Sequence, residues 1–394
     1  MTNGRDSQVG ADRVEVFLNP NALGPVPSAA ANTAAIDLHR KLPGYEPTPL
    51  VECPGVASEL GLGSVWVKDE SSRLGLPAFK MLGASYAVYR ALVERLGEEP
   101  DWETIEELRA ICAVLQPMTL AAATDGNHGR AVARMARLLG LGAKVYVPQG
   151  TVQARIEAIE SEGATMEVVE GDYDAAVRRS AQDGSDRCIV VSDTSWPGYR
   201  TIPSWVIDGY STIFFEVMEQ FGAQAPRPDV VVIPVGVGAL AAATINHFKN
   251  ESAEPCPIII SVEPMSADCV LESLRAADLV AVPGPHESIM AGLNCGTPSP
   301  LAWPLVSRGI DVAVAIDDDW AREAMRALAK VGITAGETGA AALGGLMALL
   351  SGKNAAALRR SCGLDADDSV LVLSTEGATD PDAYRAIVGR AATS

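Results

Sequence analysis

The chain has 394 residues, more than one core usually organises, so two domains, successive or interleaved, are expected. Its 31 basic and 50 acidic residues leave a net charge of −19, which repels phosphate backbones and anionic lipid and disfavours nucleic acid and membrane surfaces as partners. Seven scattered cysteines with no C-x-x-C pair, four histidines with no metal-like neighbour and a polar stretch from Met1 to Val14 point away from a disulfide framework, a zinc site and a secretory signal.

Taken in chain order, short apolar runs expected as strands are Leu120–Ala123, Lys144–Val147, Met166–Val169, Cys188–Ser192, Val230–Pro234, Ile258–Val262, Val312–Ile316 and Val370–Ser374. Helix-like stretches alternate with them: Gly129–Leu139, Val152–Glu162, Tyr173–Gln182, Tyr210–Phe221, Ala239–Lys249, Trp320–Lys330, Gly339–Leu350 and Asp382–Val388. Such alternation predicts an α/β fold with mostly parallel sheets. The strands are continuous apolar runs, as when helices cover both faces. The most apolar stretch, Val230–Ile245, is broken by Pro234, Gly236 and Gly238 and is too short to span a bilayer. A soluble cytoplasmic protein is the expectation.

Ligands of such sheets bind beyond the carboxyl ends of the strands. Four turns are thereby singled out: Thr124–His128, Asp193–Tyr199, Val235–Ala239 and Thr375–Thr379. In Pro234-Val-Gly-Val-Gly-Ala239 the glycines let backbone N–H groups turn toward an anion, and the following helix adds its positive dipole end. A phosphate fits there, although such a turn can equally be only a tight turn. Lys80 lies among Leu76, Ala78, Phe79, Met81 and Leu82. Most lysines are solvated surface charges, but burial would disfavour the ammonium form and make this amine nucleophilic.

Pro47-Thr-Pro-Leu50, Lys68-Asp-Glu-Ser71, Phe79-Lys80 and Gly126-Asn-His-Gly129, in this order, resemble the fold-type-II pyridoxal-phosphate enzymes, the family of serine and threonine dehydratases, threonine synthase and cysteine synthase. Longer segments resemble the diaminopropionate ammonia-lyases within it: Ala123-Thr-Asp-Gly-Asn-His-Gly129, Asp193-Thr-Ser-Trp196, Ala291-Gly-Leu-Asn-Cys-Gly296, Gly336-Glu-Thr-Gly-Ala340 and Ser374-Thr-Glu-Gly-Ala-Thr-Asp-Pro381. The similarity runs from about Tyr45 to Val388.

This resemblance implies that Lys80 holds the aldehyde of pyridoxal 5′-phosphate, that Asn127 bonds the cofactor's 3′-oxygen, and that Gly236, Val237, Gly238 and Ala239 bind its phosphate. The ring nitrogen would meet the hydroxyl of Ser374, with Thr375 as the alternative. It also implies a large domain (1–82 and 173–394), a small mobile domain (83–172), a homodimer, and α,β-elimination of D- or L-2,3-diaminopropionate to pyruvate and ammonia. Asp125 stands where the dehydratases carry serine. It is either the cap of the helix near Gly129 or a second catalytic group beside Lys80, and the attached Asn-His-Gly favours catalysis. Asp193 is expected to pair with the substrate's second ammonium, with Thr124 as a further substrate contact. His128 reads as a turn residue. The family's Ala-Trp-Glu-Gly-Tyr appears as Ser195-Trp-Pro-Gly-Tyr199, losing a carboxylate from a loop that would border the pocket. Alternatives are a related lyase or β-replacement enzyme acting on another β-substituted amino acid, or a non-catalytic cofactor- or amino-acid-binding regulator.

Overall fold

A computed structural model describes residues 13–28, 31–124, 126–222, 227–253, 255–352 and 354–392. Among these, eleven strands form two sheets: β1 (Val14–Leu18), β2 (Leu50–Glu52), β3 (Ser64–Asp69), β4 (Thr119–Ala123), β5 (Gly142–Pro148), β6 (Thr165–Val169), β7 (Cys188–Val190), β8 (Val230–Pro234), β9 (Ile258–Pro264), β10 (Val312–Ile316) and β11 (Ser369–Ser374). The larger sheet has the order β1-β10-β9-β8-β11-β3-β2 and is parallel except at its edges, where β1 and β2 pair antiparallel with β10 and β3. The smaller sheet, β6-β5-β4-β7, is parallel throughout.

Continuous apolar strands are buried on both faces here. Every residue of β8 and of β10 is buried. Successive side chains point to opposite faces of a sheet. Val231 and Ile233 therefore join a core with the helices Thr201–Phe221 and Ala239–Phe248, whereas Val230 and Val232 join another with Asp318–Lys330 and Glu337–Leu350. All eight expected strands occur, with Cys188–Ser192 shortened to Cys188–Val190. Segment 83–172 supplies three strands of the smaller sheet; the fourth, β7, comes from further along the chain.

The helix Lys80–Leu96 crosses Thr201–Phe221 at very short range. A Cβ on Gly83 would lie 2.5 Å from the Tyr210 ring, and one on Gly209 would lie 2.6 Å from the Leu82 carbonyl oxygen. Only glycine permits that approach. The helix Thr201–Phe221 also contributes Glu216 to a fully buried ion network. Glu216 accepts from Lys68 Nζ at 2.8 Å and from Arg73 at 2.6 and 2.8 Å, while Arg73 also donates to Glu70 at 2.6 and 2.8 Å. The network ties β3 to the segment leading into Lys80. No single described helix is long and apolar enough to cross a membrane.

Candidate active site

In the large sheet the chain moves outward from β8 through β9 to β10, then returns to place β11 on the other side of β8. Such a reversal opens a crevice at the carboxyl ends of the strands. A cavity of ≈ 720 Å³ lies there, and the small sheet supplies its opposite wall. All four turns singled out in the sequence contribute to it, through Thr124, Asn127 and His128, Asp193, Val235–Ala239, and Thr375 and Glu376.

Lys80 is the first residue of its helix and lines the cavity. The segment before it is held against the end of β11: Phe79 N–H donates to Thr375 O (3.2 Å), Gly377 N–H donates to Pro77 O (2.9 Å), and Ala78 bridges Glu376. Upstream, Arg73 and Leu76 exchange backbone bonds of 2.7 and 2.9 Å around Leu74 and Gly75, both at positive φ (51° and 73°), as a two-residue hairpin requires. Lys80 Nζ donates to Asp193 Oδ2 at 2.6 Å, and Tyr173 Oη donates to Asp193 Oδ1 at 2.7 Å. Burial alone would raise the Asp193 carboxyl, but the Lys80 charge, His128 and the two hydrogen bonds hold it well below the usual carboxylate range.

The turn after β8 is a cradle for an anion. Gly238 (φ 96°) caps the helix Ala239–Phe248 with no side-chain cap bond, and a Cβ on Gly236 would come within 3.1 Å of Cys295 Sγ. Backbone N–H groups at this helix start are suited to a phosphate. At the end of neighbouring β11, the hydroxyls of Ser374 and of the following Thr375 are buried without a hydrogen-bond partner among the described residues. Buried hydroxyls without a partner are costly, so both are suited to a ligand's polar atom. Thr375 lines the cavity, whereas Ser374 is buried and is not among the lining residues. Glycine turn, lysine and uncommitted hydroxyls together fit the phosphate, aldehyde and ring nitrogen of pyridoxal phosphate.

Asn127 starts the helix Asn127–Leu139 and donates from Nδ2 to Glu376 Oε2. His128, expected in the turn, is instead the second residue of this helix, buried with Nε2 2.8 Å from the Val191 carbonyl oxygen, so this nitrogen is the donor. Thr124 Oγ1 accepts from Gly126 N–H at 2.9 Å and closes the turn from inside. Asp125 lies outside the described residues. The loop Asp193–Tyr199 borders the cavity through Asp193, while Pro197 is exposed at its turn tip and is not among the lining residues. Trp196 instead stacks on Tyr199 at 4.0 Å, and Tyr199 Oη reaches Val190 O at 2.6 Å.

Several wall residues escaped the sequence reading: Tyr173, Arg155, Glu337 and Glu376. Glu376 and Glu337 stand in segments that carried the family resemblance, yet neither had been given a role. Burial raises the Glu337 carboxyl, and its Oε2 has no hydrogen-bond partner among the described residues. Arg155 Nη2 reaches Thr379 Oγ1 at 3.4 Å, linking the small-sheet side to the large one. No group of three or more His, Cys, Asp or Glu side chains suited to a metal ion occurs among the described residues.

Residues 41–375 match the family described as pyridoxal-phosphate dependent enzyme. The chain is 38% identical over 370 residues to diaminopropionate ammonia-lyase of Escherichia coli (strain K12), covering 92% of each chain. It is 38% identical over 368 residues to the Salmonella typhimurium enzyme of that name, covering 90% of this chain and 91% of that one. The crystal structure of the Escherichia coli enzyme in complex with D-serine superposes with a TM-score of 0.89 at 36% identity, covering 97% of this chain and 98% of that one. The chain therefore belongs to the fold-type-II pyridoxal-phosphate-dependent enzymes, and within them to the diaminopropionate ammonia-lyase family.

Proposed function

We propose that this chain catalyses α,β-elimination of 2,3-diaminopropionate, in its D and L forms, to pyruvate and ammonia. The observation that carries the reading is Lys80, set 2.6 Å from Asp193 in a cavity that also holds the glycine turn and the Thr375 hydroxyl. Gly236–Ala239 would hold the cofactor phosphate, Asn127 its 3′-oxygen, and the cavity-lining hydroxyl of Thr375, in place of Ser374, its ring nitrogen. Bound pyridoxal phosphate supplies an electron sink for the pair left at Cα when its proton departs.

The chain's own residues then divide the work. Lys80 takes or returns the Cα proton on its side of the substrate. Asp193 stays an anion while Lys80 is protonated, so it orients rather than donates; once the substrate is present, it offers that charge to the distal ammonium. A neutral hydroxyl at the ring nitrogen keeps electron withdrawal moderate, which suits departure of a β-substituent. Asp125 is the second base by its chemistry and by resemblance. Movement of the small-sheet unit toward the large one would exclude water, with Arg155 at the seam. A cytoplasmic homodimer completes the proposal.

The test is incubation of the cofactor-loaded chain with each enantiomer of 2,3-diaminopropionate while pyruvate and ammonia are measured. Pyruvate from both, lost in Lys80→Ala, is expected. Turnover of serine or another β-substituted amino acid with none of diaminopropionate would overturn the substrate assignment.

A further inference from the structure

We propose that Glu376 is a positioning residue that holds the Asn127 amide with its NH₂ group turned toward the cofactor's 3′-oxygen. The inference rests on the reading of Asn127 given above, and it adds a residue to which that reading gave no role.

An asparagine side chain has an acceptor end and a donor end of nearly the same size, so packing alone does not decide which end meets a ligand. A carboxylate does decide. Glu376 Oε2 takes one hydrogen from Asn127 Nδ2, leaving the second hydrogen of the same nitrogen for another acceptor. The flipped amide would set two oxygens against each other, both at Glu376 and at the cofactor. The contact also joins the two units, because Asn127 follows β4 of the small sheet and Glu376 follows β11 of the large one.

Glu376 is itself rigidly set. Its residue is 3% exposed and lines the cavity. Its carbonyl accepts from Gly336 N–H at 3.0 Å, its backbone bridges Ala78, and the next residue, Gly377, donates to Pro77 O. A Cβ on Gly339 would lie 2.1 Å from the Glu376 carbonyl oxygen, so the first turn of Glu337–Leu350 rests directly on this peptide. The peptide that carries the carboxylate is thus clamped between that helix and the segment delivering Lys80.

The experiment titrates the full-length chain with pyridoxal 5′-phosphate and records the dissociation constant and the visible absorbance band for wild type, Glu376→Gln, Glu376→Ala, Asn127→Ala and the Asn127→Ala/Glu376→Ala double variant. Glu376→Ala should weaken binding about tenfold and move the band as Asn127→Ala does, since a hydrogen bond to a charged group is lost. Glu376→Gln, whose amide oxygen still accepts, should stay within about threefold of wild type with an unmoved band. In the Asn127→Ala background, Glu376→Ala should cost nothing more. Equal losses with and without Asn127 would overturn the proposal. So would wild-type binding by Glu376→Ala beside weakened Asn127→Ala, an outcome that leaves the role of Asn127 standing. Wild-type binding and band in Asn127→Ala would remove that role and the proposal with it. Glu376→Met keeps the volume without the acceptor and carries the same comparison should the alanine variant not fold.

Discussion

Replacing Asp193 by alanine removes one carboxylate that serves two partners, and the consequences separate by substrate. In the present arrangement Asp193 accepts from Lys80 at 2.6 Å and from Tyr173 at 2.7 Å, with its side chain 7% exposed. Loss of the Lys80 contact leaves an amine without its nearest anion whatever the substrate, so kcat should fall for diaminopropionate and serine alike. Only diaminopropionate carries a second ammonium for Asp193 to hold. A buried hydrogen bond to a charged group is worth about 1.5–3 kcal/mol, so KM for diaminopropionate should rise by about 10- to 150-fold. KM for serine should change little. Steady-state kinetics on both substrates, with pyruvate as the readout, gives both constants. Equal KM changes on the two substrates would refute the recognition role and leave Asp193 as an orienter of Lys80 alone.

Three further outcomes are expected. Glu216→Gln takes the charge from a site where Lys68 and Arg73 are wholly buried, and should cost about 3–5 kcal/mol in urea denaturation; a loss near zero would show that the network does not hold the fold. His39 is buried against Thr212 and the Leu82 carbonyl, and burial, with Arg73 beside it, lowers its pKa to about 3. The unfolded chain therefore takes up that proton first, so stability is lost as pH falls from the ordinary value of 6.5 toward 3, by up to roughly 1.4 kcal/mol per pH unit. Denaturation of His39→Gln between pH 7 and 5 should show a flatter slope than wild type, and parallel slopes would refute the assignment. Asp125→Asn keeps shape and hydrogen bonding but removes a base; it should lose one enantiomer, D, and keep much of its activity on the other, whereas uniform loss in kcat/KM would place Asp125 at the leaving group or the cofactor instead.

The readable part of the fold was its doubly covered sheet. Val230–Pro234 and Val312–Ile316 are uninterrupted apolar runs because both faces are buried, and their turns follow directly. The unread strands have other reasons. β3 carries Lys68 and Asp69, and β2 has only three residues. Lys68 is buried because Glu216 and Gln220, far along the chain, and the Thr48 carbonyl meet its ammonium, a set of partners no local pattern announces. The helix Thr201–Phe221 begins nine residues before the expected start, with Pro203 in its first turn, where proline is tolerated. Lys80, Asn127 and Asp193 were legible because motif and turn coincide. Glu376 was in view within Ser374-Thr-Glu-Gly377, but its partner comes from the other sheet. Asn127 and Glu376 are 249 positions apart, so only the fold joins them.

The claim on which everything else depends is that Lys80 is the residue joined to the cofactor. Borohydride reduction of the cofactor-loaded chain, followed by digestion and mass mapping, tests it directly. The expected result is pyridoxyl label on the peptide containing Phe79-Lys80-Met81 and loss of that label, with the visible absorbance, in Lys80→Ala. Label on any other lysine, or an unchanged absorbance in Lys80→Ala, would contradict it.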